Sequence, residues 1–113
     1  MIHLLVRASK LLLFVAAGLF LLAAAARAQE TGASLYKGKC AMCHAADGSA
    51  STPIGKSLQI RDLRLPEVQK QTDAELAQII AQGKGKMPGF QAQLNKGQIE
   101  KLLAYIRELG KKH

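Results

Sequence analysis

Cys40, Ala41, Met42, Cys43 and His44 stand in a row, with two thiols at i and i+3 and an imidazole directly after the second. Residues three apart on a helical turn project to the same side, so both sulfurs can reach one edge of a flat ring. The adjacent histidine is then placed to offer a nitrogen to a metal at the centre of that ring. This is the attachment spacing of c-type haem, in which two thioethers fix the porphyrin and the histidine binds iron. Other uses of the two thiols stay open at this point. A thioredoxin-like dithiol sits at the head of a helix after a strand, whereas the flanks here read as helix. A structural zinc site needs four ligands, and beyond residue 28 the thiol and imidazole donors are Cys40, Cys43, His44 and His113. A Cys40–Cys43 disulfide would close a tiny loop and constrain little.

The elements that must position this pentapeptide are helical. A first helix is expected from about Thr31 or Gly32 to Cys43. Residues Gly48 to Gly55, with Ser49, Ser51, Thr52 and Pro53, read as a loop. Leu65-Pro66-Glu67 suggests a short helix with Pro66 at its first position. Thr72 and Glu75 form a capping box, after which Leu76, Ile79 and Ile80 make an apolar stripe and Gly83 supplies the stop. A last helix opens on Asn95 with Gln98 at the matching position, and Leu94 and Ile99 flank the cap as a hydrophobic staple. Ile99, Leu102, Leu103, Ile106 and Leu109 recur at helical intervals, so one face is buried. Lys111 and Lys112 follow the helix end, where cations suit the dipole. No strand pattern competes, and the fold class expected is all-α, with three to five helices around one covalent haem.

If His44 takes one axial position on iron, the opposite face needs a second side chain with a lone pair. Gly83-Lys84-Gly85-Lys86-Met87-Pro88-Gly89-Phe90 holds three glycines and a proline in eight residues and cannot be a helix interior. Met87 in its middle belongs to no helical stripe. Met42 lies inside the attachment turn and cannot cross the ring, and His113 is the final residue, where chains fray. Lys84 and Lys86 could ligate only after losing a proton, which is costly unless the amine is buried. Met87 remains as the sixth ligand, and a His/Met pair raises the potential of the iron.

The first 28 residues have the layout of a secretory signal. His3, Arg7 and Lys10 make a basic start, Leu11 to Ala26 is an apolar run of 16 residues, and Ala26-Arg27-Ala28 is a small-x-small cleavage site. The run falls short of the ~20 residues that span a bilayer comfortably, so cleavage is expected over a retained anchor. No cysteine lies near the site to carry a lipid. Removing 28 of the 113 residues leaves 85, enough for one small domain, residues 29–113. A domain of that size buries a modest core, and its aromatics are Tyr36, Phe90 and Tyr105. A haem would supply the missing apolar mass, so the apo form is expected to fold poorly.

Thirteen of the 16 Lys and Arg lie beyond residue 28 against all 8 acids, a balance of +5. Such an excess steers a protein toward an acidic partner. Nucleic-acid binding is not expected of an exported chain with few aromatics and scattered basic residues.

In combination these residues resemble class I c-type cytochromes, and more closely the short bacterial ones with one haem. The resemblance covers the helix leading into Cys40–His44, the loop Ala46-Asp47-Gly48, the Lys86-Met87-Pro88 segment and the closing Leu102-Leu103-Ala104-Tyr105-Ile106-Arg107. It implies haem attached outside the cytoplasmic membrane, hence a periplasmic location. It also implies a near-perpendicular crossing of the first and last helices, with Gly32, Tyr36 and Tyr105 at the contact. Pro53 resembles the family proline whose carbonyl accepts a hydrogen bond from the free nitrogen of the ligand histidine. The tryptophan found near a propionate in mitochondrial members is absent from this chain. Lys56, Gln59, Arg61 and Arg64 are candidates for that task. Ile54, Leu58, Leu63, Val68, Ile80 and Phe90 are expected to wall the haem, with Tyr36 a further packing residue.

The function expected is a soluble, monomeric periplasmic electron carrier that cycles one haem c between Fe(II) and Fe(III). Its redox partners are expected to carry an acidic docking patch. A haem subunit of a larger oxidoreductase is the alternative. A peroxidase-like or gas-sensing haem protein is a further, less favoured alternative: a peroxidase needs an open iron position with acid and base groups above it, and no distal histidine is left in this chain.

Overall fold

The computed structural model describes residues 1–10, 12, 14–15 and 30–113. The chain divides into two compact units, Met1–Glu30 and Thr31–His113. In the first, residues 2–10 are helical and exposed. The apolar run beyond residue 15 and the cleavage site at Ala26–Ala28 lie outside the described residues. No helix among the described residues is long and apolar enough to cross a membrane.

The second unit is built from six helices: α1 (Gly32–Lys39), α2 (Ala41–His44), α3 (Pro53–Ser57), α4 (Pro66–Gln69), α5 (Asp73–Gln82) and α6 (Lys96–Lys111). Among the described residues there is no strand, only a lone bridge between Lys84 and Met87. The all-α architecture is as expected, but the helix count is higher for two local reasons. The expected first helix breaks at Cys40, whose φ of −115° departs from helical values, so the attachment residues occupy a turn of their own. The expected loop 48–55 ends early. Thr52 caps α3 by accepting a hydrogen bond from the Gly55 amide, and Pro53 takes the first helical position. Pro53 is thus a helix starter rather than a loop residue, because its missing N–H is an orphan there in any case.

The long helices begin where their caps place them. Thr31 and Ser34 form a capping box at α1, Thr72 and Glu75 at α5, and Asn95 and Gln98 at α6. Leu94 and Ile99 are both buried, as a staple requires. Lys111 closes the last turn of α6 and Lys112 caps it.

The core gathers Leu35 and Tyr36 from α1, Val68 from α4, Leu76 and Ile80 from α5, Leu94, and the stripe Ile99, Leu102, Leu103, Ile106 and Leu109 of α6. Leu102 is wholly buried and Tyr36 is 1% exposed. α1 packs against α6 so closely that a Cβ on Gly32 would collide with the Lys101 carbonyl oxygen. Only a residue without a side chain permits that approach. The Tyr36 and Tyr105 rings meet beside it, with centroids 5.2 Å apart and planes at 53°.

Candidate functional site

The residues singled out by the sequence are positioned by short-range hydrogen bonds. Cys43 and His44 direct their amides to the Cys40 carbonyl at 3.2 and 2.9 Å, closing the one-turn α2. The turn ends at Ala45, which holds φ of 62°. The Tyr36 hydroxyl donates to the Ala45 carbonyl at 2.8 Å, a buried bond that fixes this unfavourable exit. Farther on, the Ala50 amide donates to the His44 carbonyl at 2.9 Å and the Thr52 hydroxyl to the Cys43 carbonyl at 3.2 Å. The loop after the histidine is thereby folded back onto the turn that carries it.

On the other side, Gly83 ends α5 with φ of 82°. A Cβ there would lie 2.6 Å from the Met87 carbonyl oxygen, so the chain can turn back on itself only with glycine. Lys84 and Met87 exchange amide–carbonyl bonds of 3.1 and 3.0 Å, and the Phe90 and Gln91 amides return to the carbonyls of Ile80 and Ala81. The glycines serve a hydrogen-bonded hairpin that presents Met87.

His44 and Met87 line the same cavity, of about 300 Å³. Its walls are largely apolar: Leu58, Ile60, Leu63, Val68, Leu76 and Ile79, with Gln59, Arg61, Gln71, Lys84 and Lys86 among them. A smaller cavity of about 70 Å³ shares His44, Leu58, Ile60, Lys86 and Met87 with it and adds Lys39, Cys40, Cys43, Pro88 and Phe90. The two thiols therefore border the same hollow as the imidazole and the thioether.

Burial sets the protonation states. The Cys40 thiol is pushed up to about 11, by burial first and then by Cys43, with Lys39 opposing. It is a neutral thiol at ordinary pH. His44 is held below its ordinary value by burial, partly offset by the Arg61 backbone. A neutral imidazole keeps the lone pair that a metal requires. Its Nδ1 is buried and has no hydrogen-bond partner. No hydrogen bond joins it to the Pro53 carbonyl, and Pro53 stands at the first position of α3.

These residues fit a haem. The apolar hollow suits a porphyrin, the thiols border it, and a neutral histidine and a methionine both reach it. Zinc is not supported, since no group of three or more His, Cys, Asp and Glu among the described residues could hold a metal. Nor are the thiols joined as a disulfide.

Some expected wall residues stand elsewhere. Ile80 is in the core, while its neighbour Ile79 lines the cavity. Successive helical residues point about 100° apart, and the stripe alone did not say which faced the ring. Ile54 is 40% exposed and lines neither cavity. Tyr36 packs in the core against Tyr105 and its role is the Ala45 bond. Leu58, Leu63, Val68 and Phe90 do line the hollow. Of the propionate candidates, Gln59 and Arg61 border the cavity and Lys56 does not. Arg64 is committed to Asp62 at 2.8 Å and lies 3.7 Å from Asp47, and its guanidinium holds the Asp62 carboxyl below the usual range.

Sequence reading missed Ile60, Leu76, Gln71 and Lys39. Ile60 reaches the cavity through a tight helix end, in which its amide bonds the Gly55 carbonyl and the Gln59 amide the Lys56 carbonyl. That pattern normally calls for glycine at the left-handed position, and here Gln59 holds it with φ of 53°. No sequence signal marked the turn.

Comparison with known proteins shows the family. The family model described as cytochrome c oxidase, cbb3-type, subunit III matches residues 27–106. The chain is 35% identical over 78 residues to cytochrome c6 of Aphanizomenon flos-aquae, covering 69% of this chain and 86% of that one. It is 34% identical over 83 residues to cytochrome c6 of Limnospira maxima, covering 72% and 92%. The solved structure of the KustC0563 c-type cytochrome superposes with a TM-score of 0.65 at 28% identity, over 71% of this chain and 98% of that one. The chain belongs to the c-type cytochromes, as a small class I member that carries one covalent haem c with its iron and transfers electrons rather than acting as an enzyme.

Proposed function

We propose that the chain is a soluble periplasmic electron carrier, with Cys40 and Cys43 bound to haem as thioethers and His44 and Met87 as the axial ligands of iron. One observation carries this reading: His44 and Met87 face a single apolar hollow whose edge holds both thiols. Bound haem supplies a one-electron Fe(II)/Fe(III) couple. The chain supplies its setting. The His44 imidazole, kept neutral by burial, offers a lone pair. The Met87 thioether, uncharged and weakly donating, favours the ferrous state. Leu58, Leu63, Val68 and Ile79 exclude water and hold the ring still.

Residues 1–28 are proposed to direct export and to be removed, leaving residues 29–113 as the working domain. Lys39, Lys84, Lys86 and Arg61 border the hollow, and no acid does. A partner with an acidic docking patch fits that edge, and its electron-exchange rate should fall steeply as salt screens the charges. An unchanged rate from low to high ionic strength would remove the docking part of the proposal.

The ligand set is tested by the optical spectrum of the oxidised holoprotein. A weak band at the red end is expected, and it should vanish in Met87→Ala. A parent protein without that band would overturn the assignment of Met87. A second reading, a haem subunit held in a larger oxidoreductase, is favoured by the oxidase-subunit description of the matching family model. Size-exclusion chromatography of native extract separates the two, since a free carrier elutes as a small monomer.

A further inference from the structure

Residues 60–72 supply Ile60, Arg61, Leu63, Val68 and Gln71 to the cavity, yet this strap has little structure of its own. Its only helix is the four-residue α4, and the cap at Leu65 has no side-chain hydrogen bond. Besides the Leu63 amide on the Gly48 carbonyl at 2.8 Å and the buried Val68 side chain, it is tied to α6 by two side chains, Gln69 from the strap and Arg107 from the helix. The Gln69 amide nitrogen donates to the Leu63 carbonyl at 2.7 Å, within the strap, and to the Ile106 carbonyl at 3.2 Å, across to the helix. From α6, Arg107 donates through Nη1 to the Gln69 carbonyl at 2.9 Å and through Nη2 to the Gln71 carbonyl at 2.6 Å. Its Nε and Nη2 also reach Asp73 Oδ1 at 3.1 and 2.8 Å. α6 leaves room for this: a Cβ on Gly110 would lie 2.5 Å from Gln69 Cδ.

We infer that Arg107 and Gln69 are positioning residues that clamp the strap to the C-terminal helix and so set how closely Val68 and Gln71 wall the haem. This rests on placing the haem in the hollow between His44 and Met87. The planar guanidinium spans four acceptors in fixed directions, Gln69 Oε1 at 3.5 Å being the fourth, which an ammonium cannot do. A loosened strap admits water, and water favours the more highly charged ferric state, so the clamp acts on the redox equilibrium through burial.

The test uses the holoprotein and three variants. Arg107→Lys keeps the charge and stem but loses the span. Gln69→Met keeps the bulk but loses the two donated bonds. Asp73→Asn leaves both carbonyl contacts of Arg107 in place. Arg107→Lys and Gln69→Met should each shift the ferrous–ferric equilibrium about tenfold toward ferric, a fall of ~59 mV for one electron. Amide exchange at Val68 and Gln69 should accelerate roughly tenfold in the same variants, by local opening. Asp73→Asn should move neither by more than about twofold. A lowered melting temperature with potential and exchange unchanged would mean a merely structural contact, and would overturn the inference. So would an Asp73→Asn shift as large as that of Arg107→Lys, or failure of both clamp variants to retain haem, which would assign the pair to folding. A wrong ligand assignment shows up separately, as a parent without the red band.

Discussion

Two regions of this domain are built on different terms. The contact between α1 and α6 is complete within the chain: Leu102 is wholly buried, the Tyr36 and Tyr105 rings pack together, and Gly32 admits the neighbouring backbone. The region between His44 and Phe90 is made largely of short helices and loops around a hollow, and it contains a buried imidazole nitrogen with no partner. Natural interiors tolerate few voids and few orphaned polar atoms. The first region explains how so small a domain holds together. The second is what the proposed haem site requires.

The comparison can be broken most severely at the cysteines. Replacing both Cys40 and Cys43 by Ser should abolish covalent haem, and mass spectrometry of protein from a maturation-competent cell should show the bare polypeptide. Circular dichroism of that product should show helix lost between His44 and Phe90, where the hollow is left unfilled, while α1 and α6 persist. A native-like spectrum would mean that the α1–α6 pair folds the rest without help.

Leu102→Ala strikes the other region. A cavity in a fully packed site should cost ~2–5 kcal/mol in denaturant unfolding. The oxidised optical spectrum should stay as in the parent, because Leu102 lines neither hollow. A changed spectrum would show that the two regions are not separable.

The smallest expected effect concerns pH. The Glu75 carboxyl is held below its ordinary value by the Thr72 amide, then by the Thr72 hydroxyl. A group whose folded value is depressed stabilises the fold above its unfolded value and loses that contribution as pH falls. The melting temperature should therefore decline below about pH 4.5, the ordinary glutamate value. Glu75→Gln preserves the cap and removes the charge, so it should flatten that decline slightly. Asp47 and Asp62, also depressed, keep the remainder. An identical slope in the variant would sink the assignment of Glu75.

Features carried within a turn or two of chain are legible in the order of residues alone. The attachment pentapeptide, the capping boxes at Thr72 and Asn95, and the stripe from Ile99 to Leu109 depend on short, regular spacings, and each lies where those spacings put it. Features that depend on direction are not legible in that way. Ile79 and Ile80 are adjacent apolar residues in α5, and only the packing of that helix turns one to the hollow and the other to the core. The left-handed turn at Gln59 has no glycine to announce it, and Pro53 carries equal signals for a loop and for a helix start.

The amino-acid sequence by itself determined the cofactor chemistry, the helical class and the proposed axial ligands. Thiols at i and i+3, an imidazole beside them and a methionine isolated among glycines need no third dimension to be recognised. Tertiary structure alone decided which apolar residues wall the hollow, that His44 Nδ1 is left without an acceptor, and that Arg107 grips a strap 38 residues away. Local geometry is written in neighbouring residues, whereas contacts across the fold exist only once the path of the chain has brought distant groups together.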